Sequence, residues 1–330
     1  MSAPKLALIG NRRAGRCKLT EIIREAESVL WGYEIEVYHP KDIDELVQLV
    51  GSFRAPTYRG IVFLGGDGTV NRALPGLMGS EIPTYTFPTG TANDLAAEIA
   101  ISSNWKILQR LIDQNRYLQI DLIRANDLFF MTVAGIGFGA GVAKEYNDMR
   151  RQPRALGKML PRLSDHIYSI LSAKHLLLRT QKPMSLRLKG RNLNRLVETS
   201  CLMICNQAKL GGNLTISASS KNQDGKFEVV YCEDRNTIDL ARFVLDVRLG
   251  KNPHRAVRLS ASQLQIEECR GRKFTLFGDG EILLQDSNLE LKLYPRALKL
   301  FSPMGKSHPI GEAIPTAPSL VLESSERSEL

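Results

Sequence analysis

Short apolar runs alternate with amphipathic stretches through the first third of the chain. Lys5–Ile9, Glu34–Tyr38, Ile61–Leu64 and Thr84–Phe87 read as strands. Leu19–Leu30, Ile43–Val50, Val70–Met78, Ala92–Ala100 and Trp105–Leu111 carry helical spacing. This β-α alternation predicts a parallel sheet covered on both faces. After about Asp121 the texture changes. Leu128–Val133 is strand-like, and Val142–Arg150 and Leu156–Leu178 read as basic helices. Short alternating runs then recur at Met184–Lys189, Leu196–Cys205, Phe227–Cys232, Gln263–Glu267, Lys273–Phe277 and Leu289–Tyr294, with one helix expected over Ile238–Leu249. Turn clusters such as Asn222-Gln223-Asp224-Gly225 separate them. The fold class is α/β: a doubly wound parallel-sheet domain over 1–125, then a mainly antiparallel, β-rich domain over 126–305. The last strand is free to return to the first domain. Residues 306–330, rich in Ser, Pro and Glu, read as a disordered tail.

Composition narrows this. Hydrophobic content of 43% and charged content of 24% exclude a wholly disordered, collagenous or multi-span membrane chain. Lys and Arg (44) outnumber Asp and Glu (35), giving a net charge of +9 that calls for an acidic partner. Residues 141–200 hold thirteen basic and four acidic residues, so this one stretch carries the whole surplus. A solvated helix face explains such a run. So does adsorption to an anionic membrane, with Ile167, Ile170, Leu171 and Leu177 as an apolar stripe beside Lys174, His175 and Arg179. Nucleic acid is the weakest reading, since no RNA- or DNA-reading motif accompanies the charge. Cys17, Cys201, Cys205, Cys232 and Cys269 are odd in number and lack CxxC spacing. With no signal-peptide pattern at the start, they suggest a reducing, cytoplasmic setting. The longest uncharged run, Leu128–Ala143, is too short to span a bilayer, so membrane contact is expected to be peripheral.

The sharpest local feature is Leu64-Gly65-Gly66-Asp67-Gly68-Thr69-Val70-Asn71, between a strand and a helix. Glycines let backbone amides approach an anion, and the helix adds its positive end. Asp67 would repel phosphate unless a divalent cation intervenes. A tight turn in which Asp67 caps backbone amides is the plainer alternative. Two further turns, Gly10–Gly15 and Pro88-Thr89-Gly90-Thr91-Ala92-Asn93-Asp94, fall at the same carboxyl edge, where open α/β sheets place ligands.

Gly65–Leu77 together with Pro88–Ile99 resembles the catalytic domain of the diacylglycerol kinase-like lipid kinases. The resemblance runs on through Ala134-Gly135-Ile136-Gly137-Phe138-Gly139-Ala140, and through Asn206 with Gly211-Gly212 and Asp224-Gly225. It closes with Asp279-Gly280-Glu281 and Tyr294-Pro295-Arg296-Ala297-Leu298, covering residues 5–303 in order. It implies a lipid kinase using ATP and Mg2+, with the lipid in a cleft between the domains. By resemblance, Gly65, Gly66, Asp67, Gly68, Thr69, Val70 and Asn71 cradle the triphosphate, with Asn11, Gly90, Thr91, Asn93 and Asp94 nearby. Asp67, Asp94 and Asp121 would form an acidic relay for magnesium, and Asp224 a structural magnesium site with neighbouring carbonyls. Glu281 would take the proton of a lipid hydroxyl, with Asp279 beside it. Without the resemblance, Asp279–Glu281 is an exposed hairpin turn and Asp224-Gly225 a plain turn.

Three departures stand out. Arg72 occupies a position usually held by Glu, Asn11-Arg12 replaces Asn-Pro, and Tyr38-His39-Pro40 stands where a Thr is frequent. Arg12 and Arg72 keep open a non-catalytic lipid- or nucleotide-binding protein, and the Gly65–Thr69 turn an NAD kinase-like enzyme, although the second signature of that enzyme is missing and Arg72 breaks its Asn-Glu pair. Gly135-x-Gly137-x-x-Ala140 fits a dinucleotide fingerprint but lacks the acidic residue required about 20 positions later. The partners implied are a lipid substrate and an anionic membrane surface, with no nucleic acid and with room for a homodimer.

Overall fold

A computed structural model describes residues 3–10, 16–88, 94–151, 164–178, 182–210, 214–233, 237–251, 253 and 256–308. The side chains of 16–18, 150–151 and 164–169 lie outside that description. The chain opens with β1 (Lys5–Gly10), α1 (Arg16–Val29), β2 (Glu34–Tyr38), α2 (Ile43–Ser52), β3 (Tyr58–Gly65) and α3 (Asp67–Leu77). β4 (Thr84–Pro88), α4 (Asp94–Glu98) and α5 (Trp105–Asp113) follow. The strands pair in parallel in the order β2-β1-β3-β4. The order reverses between β1 and β3, so their carboxyl ends flank the crevice where such sheets bind ligands. Leu6–Ile9 and Ile61–Leu64 are all buried, because helices cover both faces and leave no strand position for water.

Glu36 fastens the edge of this sheet. Its carboxylate accepts from Lys5 Nζ, Tyr38 Oη and Tyr58 Oη, each at 2.5 Å. The Lys5 bond first, then the two phenols, hold this carboxyl down at about 2 against an ordinary 4.5. A lowered folded-state pKa stabilises the fold above pH 4.5 and is lost as the pH falls toward 2. Glu36→Gln is therefore expected to cost about 2 kcal/mol at neutral pH, after allowing for solvent screening. Urea unfolding across pH 3–7 checks this: a penalty that stays constant with pH would refute the linkage.

The second half is built on β5 (Arg116–Ala125), β6 (Leu128–Phe130), β7 (Val133–Gly137), α6 (Phe138–Arg151) and α7 (Ser164–Leu177). Then come β8 (Met184–Gly190), β9 (Leu193–Thr199), β10 (Cys201–Cys205), β11 (Lys209–Leu210), β12 (Leu214–Thr215), β13 (Phe227–Cys232) and α8 (Thr237–Arg248). β14 (Ala256–Ala261), β15 (Gln263–Glu268), β16 (Phe274–Gly278), β17 (Glu281–Asp286), β18 (Asn288–Phe301) and β19 (Lys306–Ser307) complete the order. An antiparallel sheet, β14-β13-β10-β7-β16-β17, faces β15, β8 and β9 across a core that includes Leu202, Ile204, Val229, Leu186 and Ile266. Its other face packs Cys201, Met203 and Cys205 against Phe138, Leu171 and Phe243 of the helices. β10 reads Cys-Leu-Met-Ile-Cys without a polar residue because both of its faces are covered.

β18 joins the two halves. Its start pairs with β15, and its end lies between β5 and β4, with Leu300 opposite Thr84. Several sequence expectations need correction. β5, β14 and β17 carry no signal that the pattern reading caught. Leu196–Cys205 is two strands, and Leu128–Val133 breaks at Met131-Thr132. Lys306 and Ser307 pair with Tyr117 and Arg116 rather than opening the tail; residues beyond 308 lie outside the description. The supposed apolar stripe on α7 is not one face. Ile170 and Leu177 are exposed, but Leu171 is buried, and Lys174 and His175 both bind Glu145 of α6 at 2.5 and 2.9 Å. Ile167's side chain and Arg179 lie outside the described residues.

Candidate active site

β3 runs into α3 with only Gly66 between them, in an extended conformation and without a side-chain cap. Thr69 N bonds back to Gly66 O at 2.9 Å, while the earlier amides remain free of a capping side chain. The helix thus presents bare amides and its positive end at the crevice. Gly65 has to be glycine, because a Cβ there would lie 2.9 Å from Thr69 Cβ. Val70 points into the core, so only its backbone belongs to the turn. Arg72 is exposed on α3. His39 Nδ1 meets Gly10 O at 2.9 Å, tying the end of β2 to that of β1. Asn11, Arg12, Gly90, Thr91 and Asn93 lie outside the described residues.

Asp67 does cap an amide, but that of the next helix. Its Oδ2 accepts from Leu95 N at 3.1 Å in the first turn of α4. Its Oδ1 is buried with no hydrogen-bond partner among the described residues. Burial pushes this carboxyl up to about 7, the Leu95 amide opposes, and the charges of Asp279 and Asp94 add to the rise. Asp67 therefore lies within the electrostatic reach of Asp94 and Asp279.

Asp279 reaches it from the second half of the chain. Asp279 and Gly280 have φ of +50° and +80°, the two left-handed residues of a two-residue hairpin joining β16 to β17. The Asp279 carboxylate gathers four donors: Asn71 Nδ2 at 2.7 Å, Met131 N at 3.0 Å, Thr132 N at 2.8 Å and Thr132 Oγ1 at 2.6 Å. The break between β6 and β7 has its cause here, since two successive amides turn to this carboxylate instead of a neighbouring strand. On the other side, Asn147 of α6 donates to Gly280 O at 2.9 Å. Glu281, the next residue, lies against the start of α3: a Cβ on Gly68 would sit 3.9 Å from its Oε1. The hairpin is thus clamped by both halves of the protein. Its tip carries one carboxylate that is saturated and another beside the bare amides.

Asp121 belongs elsewhere. Its Oδ1 accepts from Arg296 N and its Oδ2 from Gly225 N, both at 2.8 Å. Its own N and O bond to Asn222 O at 2.7 Å and Asn206 Nδ2 at 2.8 Å. Opposite it, β18 bulges between Tyr294 and Leu298, with Arg296 at φ +51°. Pro295 has no N–H to offer a strand, and Arg296 gives its own to Asp121. Burial raises the Asp121 carboxyl, the two amides oppose, and nearby Asp224 raises it further. The structure therefore groups Asp121 with Asp224, not with Asp67 and Asp94. Asp224 has Lys226 Nζ at 4.0 Å, so its charge already has a counterion. Among the described residues, no three His, Cys, Asp or Glu side chains converge as a metal site.

The sequence reading missed Thr132 and Asn147. Thr132 has no motif. Asn147 is a polar residue on the apolar side of a helix, an unfavourable placement that was the one available signal.

Two family models match the chain, one for each part. Residues 5–125 match the family described as diacylglycerol kinase catalytic domain. Residues 132–302, more than half of the chain, match the YegS C-terminal NAD kinase beta sandwich-like domain. The Mycobacterium tuberculosis protein named diacylglycerol kinase is 25% identical over 251 residues, 74% of this chain and 76% of its own. The crystal structure titled as a diacylglycerol kinase from Bacillus anthracis str. Sterne shares the fold, with a TM-score of 0.65 and 16% identity over 92% of this chain and 98% of that one. With both halves matched in order, the chain belongs to the diacylglycerol kinase-like lipid kinase family, phosphotransferases with an alcohol group as acceptor.

Proposed function

We propose that this protein transfers the γ-phosphoryl group of ATP to the free hydroxyl of a diacylglycerol-like lipid. The observation that carries the reading is the hairpin of β16 and β17, fastened through Asn71 so that Glu281 stands beside Gly68 at the start of α3. An anion-binding helix start and a carboxylate contributed by another domain are what an in-line phosphoryl transfer needs. The Gly66–Asn71 turn holds the triphosphate through its amides. Glu281 accepts the hydroxyl proton as the lipid oxygen bonds to the γ-phosphorus and the bond to the β-phosphate oxygen breaks, releasing ADP. Asp279 positions that carboxylate rather than reacting, because its oxygens already serve four donors.

Magnesium fits one feature of this site. Asp67 Oδ1 is a buried, unpartnered oxygen among three carboxylates, and a cation there would relieve their repulsion. Such an ion takes one carboxylate and fills its other positions with phosphate oxygens and water. Bound there, it would neutralise charge on the triphosphate. Asp121 faces elsewhere, its oxygens turned to the amides of Arg296 and Gly225.

Incubating the pure protein with labelled ATP and a panel of diacylglycerol, sphingoid base, phosphatidylglycerol and NAD tests the reading. Label is expected in diacylglycerol or another hydroxyl lipid. Label in NAD alone would turn the assignment to an NAD kinase, and nucleotide binding without transfer to a non-catalytic binder.

A further inference from the structure

The hairpin sits at one end of β16; at the other end, about 13 Å along the strand, lies a second cleft. Its volume is about 410 Å³, within the range of small-molecule sites. Lys144 on α6, Lys182 before β8 and Lys273 before β16 all line it, and among the described residues no acidic side chain does. All three are exposed.

The neighbouring charges leave these lysines to the cleft. Arg272, the fourth basic residue lining it, is spent on Glu268, with Nε and Nη2 at 3.1 and 2.9 Å from Oε1. Glu145, next to Lys144 in sequence, is turned to Lys174 and His175. Lys144, Lys182 and Lys273 have no ion pair among the described residues. Gly137 at the end of β7 and Ala140 in the first turn of α6 also border the cleft; Phe138 N is taken by Ser200 O at 2.8 Å, and the rest of the turn brings the positive end of a 14-residue helix. Met184 and Phe274 make part of the wall apolar, so the site suits an anion carried on a partly apolar body.

We infer that this cleft binds a phosphate monoester, as a second anion site separate from the one where transfer takes place. Three ammonium groups and a helix start neutralise a dianion, while the open mouth admits either a soluble organic phosphate or a phosphorylated lipid headgroup at a membrane surface. The inference does not depend on which hydroxyl the enzyme phosphorylates. It also gives part of the basic excess of residues 141–200 a concrete task, through Lys144 and Lys182.

Calorimetric titration of the full chain with glycerol 3-phosphate and with monomeric dihexanoyl phosphatidate tests it. A third arm measures co-sedimentation with phosphatidylcholine vesicles with and without phosphatidate. The comparison is the triple variant Lys144→Ala, Lys182→Ala, Lys273→Ala, and the expected loss is about a hundredfold in affinity, with a flatter salt dependence. Equal affinity for the two soluble probes identifies the source as a free phosphate. Preference for phosphatidate or its vesicles identifies a lipid headgroup. Lys273→Glu, with an unchanged unfolding transition, serves as a second variant and should abolish binding. Wild-type affinity in both variants, or no binding of any probe by the wild type, overturns the inference. Neither result bears on transfer from ATP, which is read separately with a monomeric diacylglycerol.

Discussion

Glu281→Gln is expected to lower kcat for lipid phosphorylation by about 10²- to 10⁴-fold, the usual contribution of a positioned general base. Glutamine keeps the size, and the bonds that clamp Asp279 and Gly280 are left in place. ATP affinity should therefore change little, because the Gly66–Asn71 amides and Asp67 are untouched. The measurements are single-turnover transfer to a soluble diacylglycerol and calorimetric ATP binding on the same preparation. Near-normal turnover would remove Glu281 from the base role. A parallel loss of ATP affinity would show instead that Glu281 binds nucleotide.

Asp279→Ala should be the most destabilising single change in the site, at about 4 kcal/mol. Two amides in fully buried residues, Met131 and Thr132, lose their acceptor, and each unsatisfied buried group costs roughly 1–3 kcal/mol. Alanine also tolerates the left-handed conformation poorly, which adds about 1 kcal/mol. Asp279→Asn separates the two causes. Asparagine accepts positive φ but offers one acceptor oxygen and no charge, so a loss of about 2 kcal/mol is expected. Urea unfolding of both variants gives the comparison. Equal, small effects would mean that the clamp does not hold the hairpin. With Glu281 one residue beyond the clamp, both variants should also lower kcat more than they raise KM for ATP.

The Glu281 hairpin shows how much of one segment is local. From sequence alone, Asp279-Gly280-Glu281 reads as an exposed turn between two strands, and the backbone is a hairpin turn with positive φ at both central residues. Nothing in the tripeptide says what its side chains meet. Asn71 and Asp279 are 208 positions apart, and Met131 and Thr132 carry no motif at all. The contact exists because β16 pairs with β7 and so brings the hairpin to the gap between β6 and β7. Asp67 behaves in the same way: its turn was legible, but its bond to Leu95 and its unpartnered oxygen follow from how α3 and α4 start side by side.

The three aspartates of the proposed magnesium relay show the reverse case. Asp67, Asp94 and Asp121 look alike in one dimension, each beside a plausible turn or strand. In three dimensions Asp121 lies inside β5 opposite a bulge, where its oxygens collect the amides that the bulge releases. The same bulge explains Tyr294–Leu298, a pattern the sequence reading carried by resemblance alone. Charge depends on packing in the same way: Lys174 and His175, which flank the expected membrane stripe, both bond to Glu145 of α6.

What the amino-acid sequence determined by itself is local. Periodicity and glycine placement determined the parallel sheet, the strand-to-helix turn at Gly65–Asn71 and a turn at Asp279-Gly280, because each depends on residues near in the chain. Tertiary structure decided which carboxylate faces the crevice, which is locked in a bulge, and which lysines remain unpaired around a cleft. Those outcomes depend on pairs of groups that no local pattern links, up to 208 positions apart for Asn71 and Asp279, and on burial, which makes an amide or a carboxylate seek whatever partner the packing brings within reach.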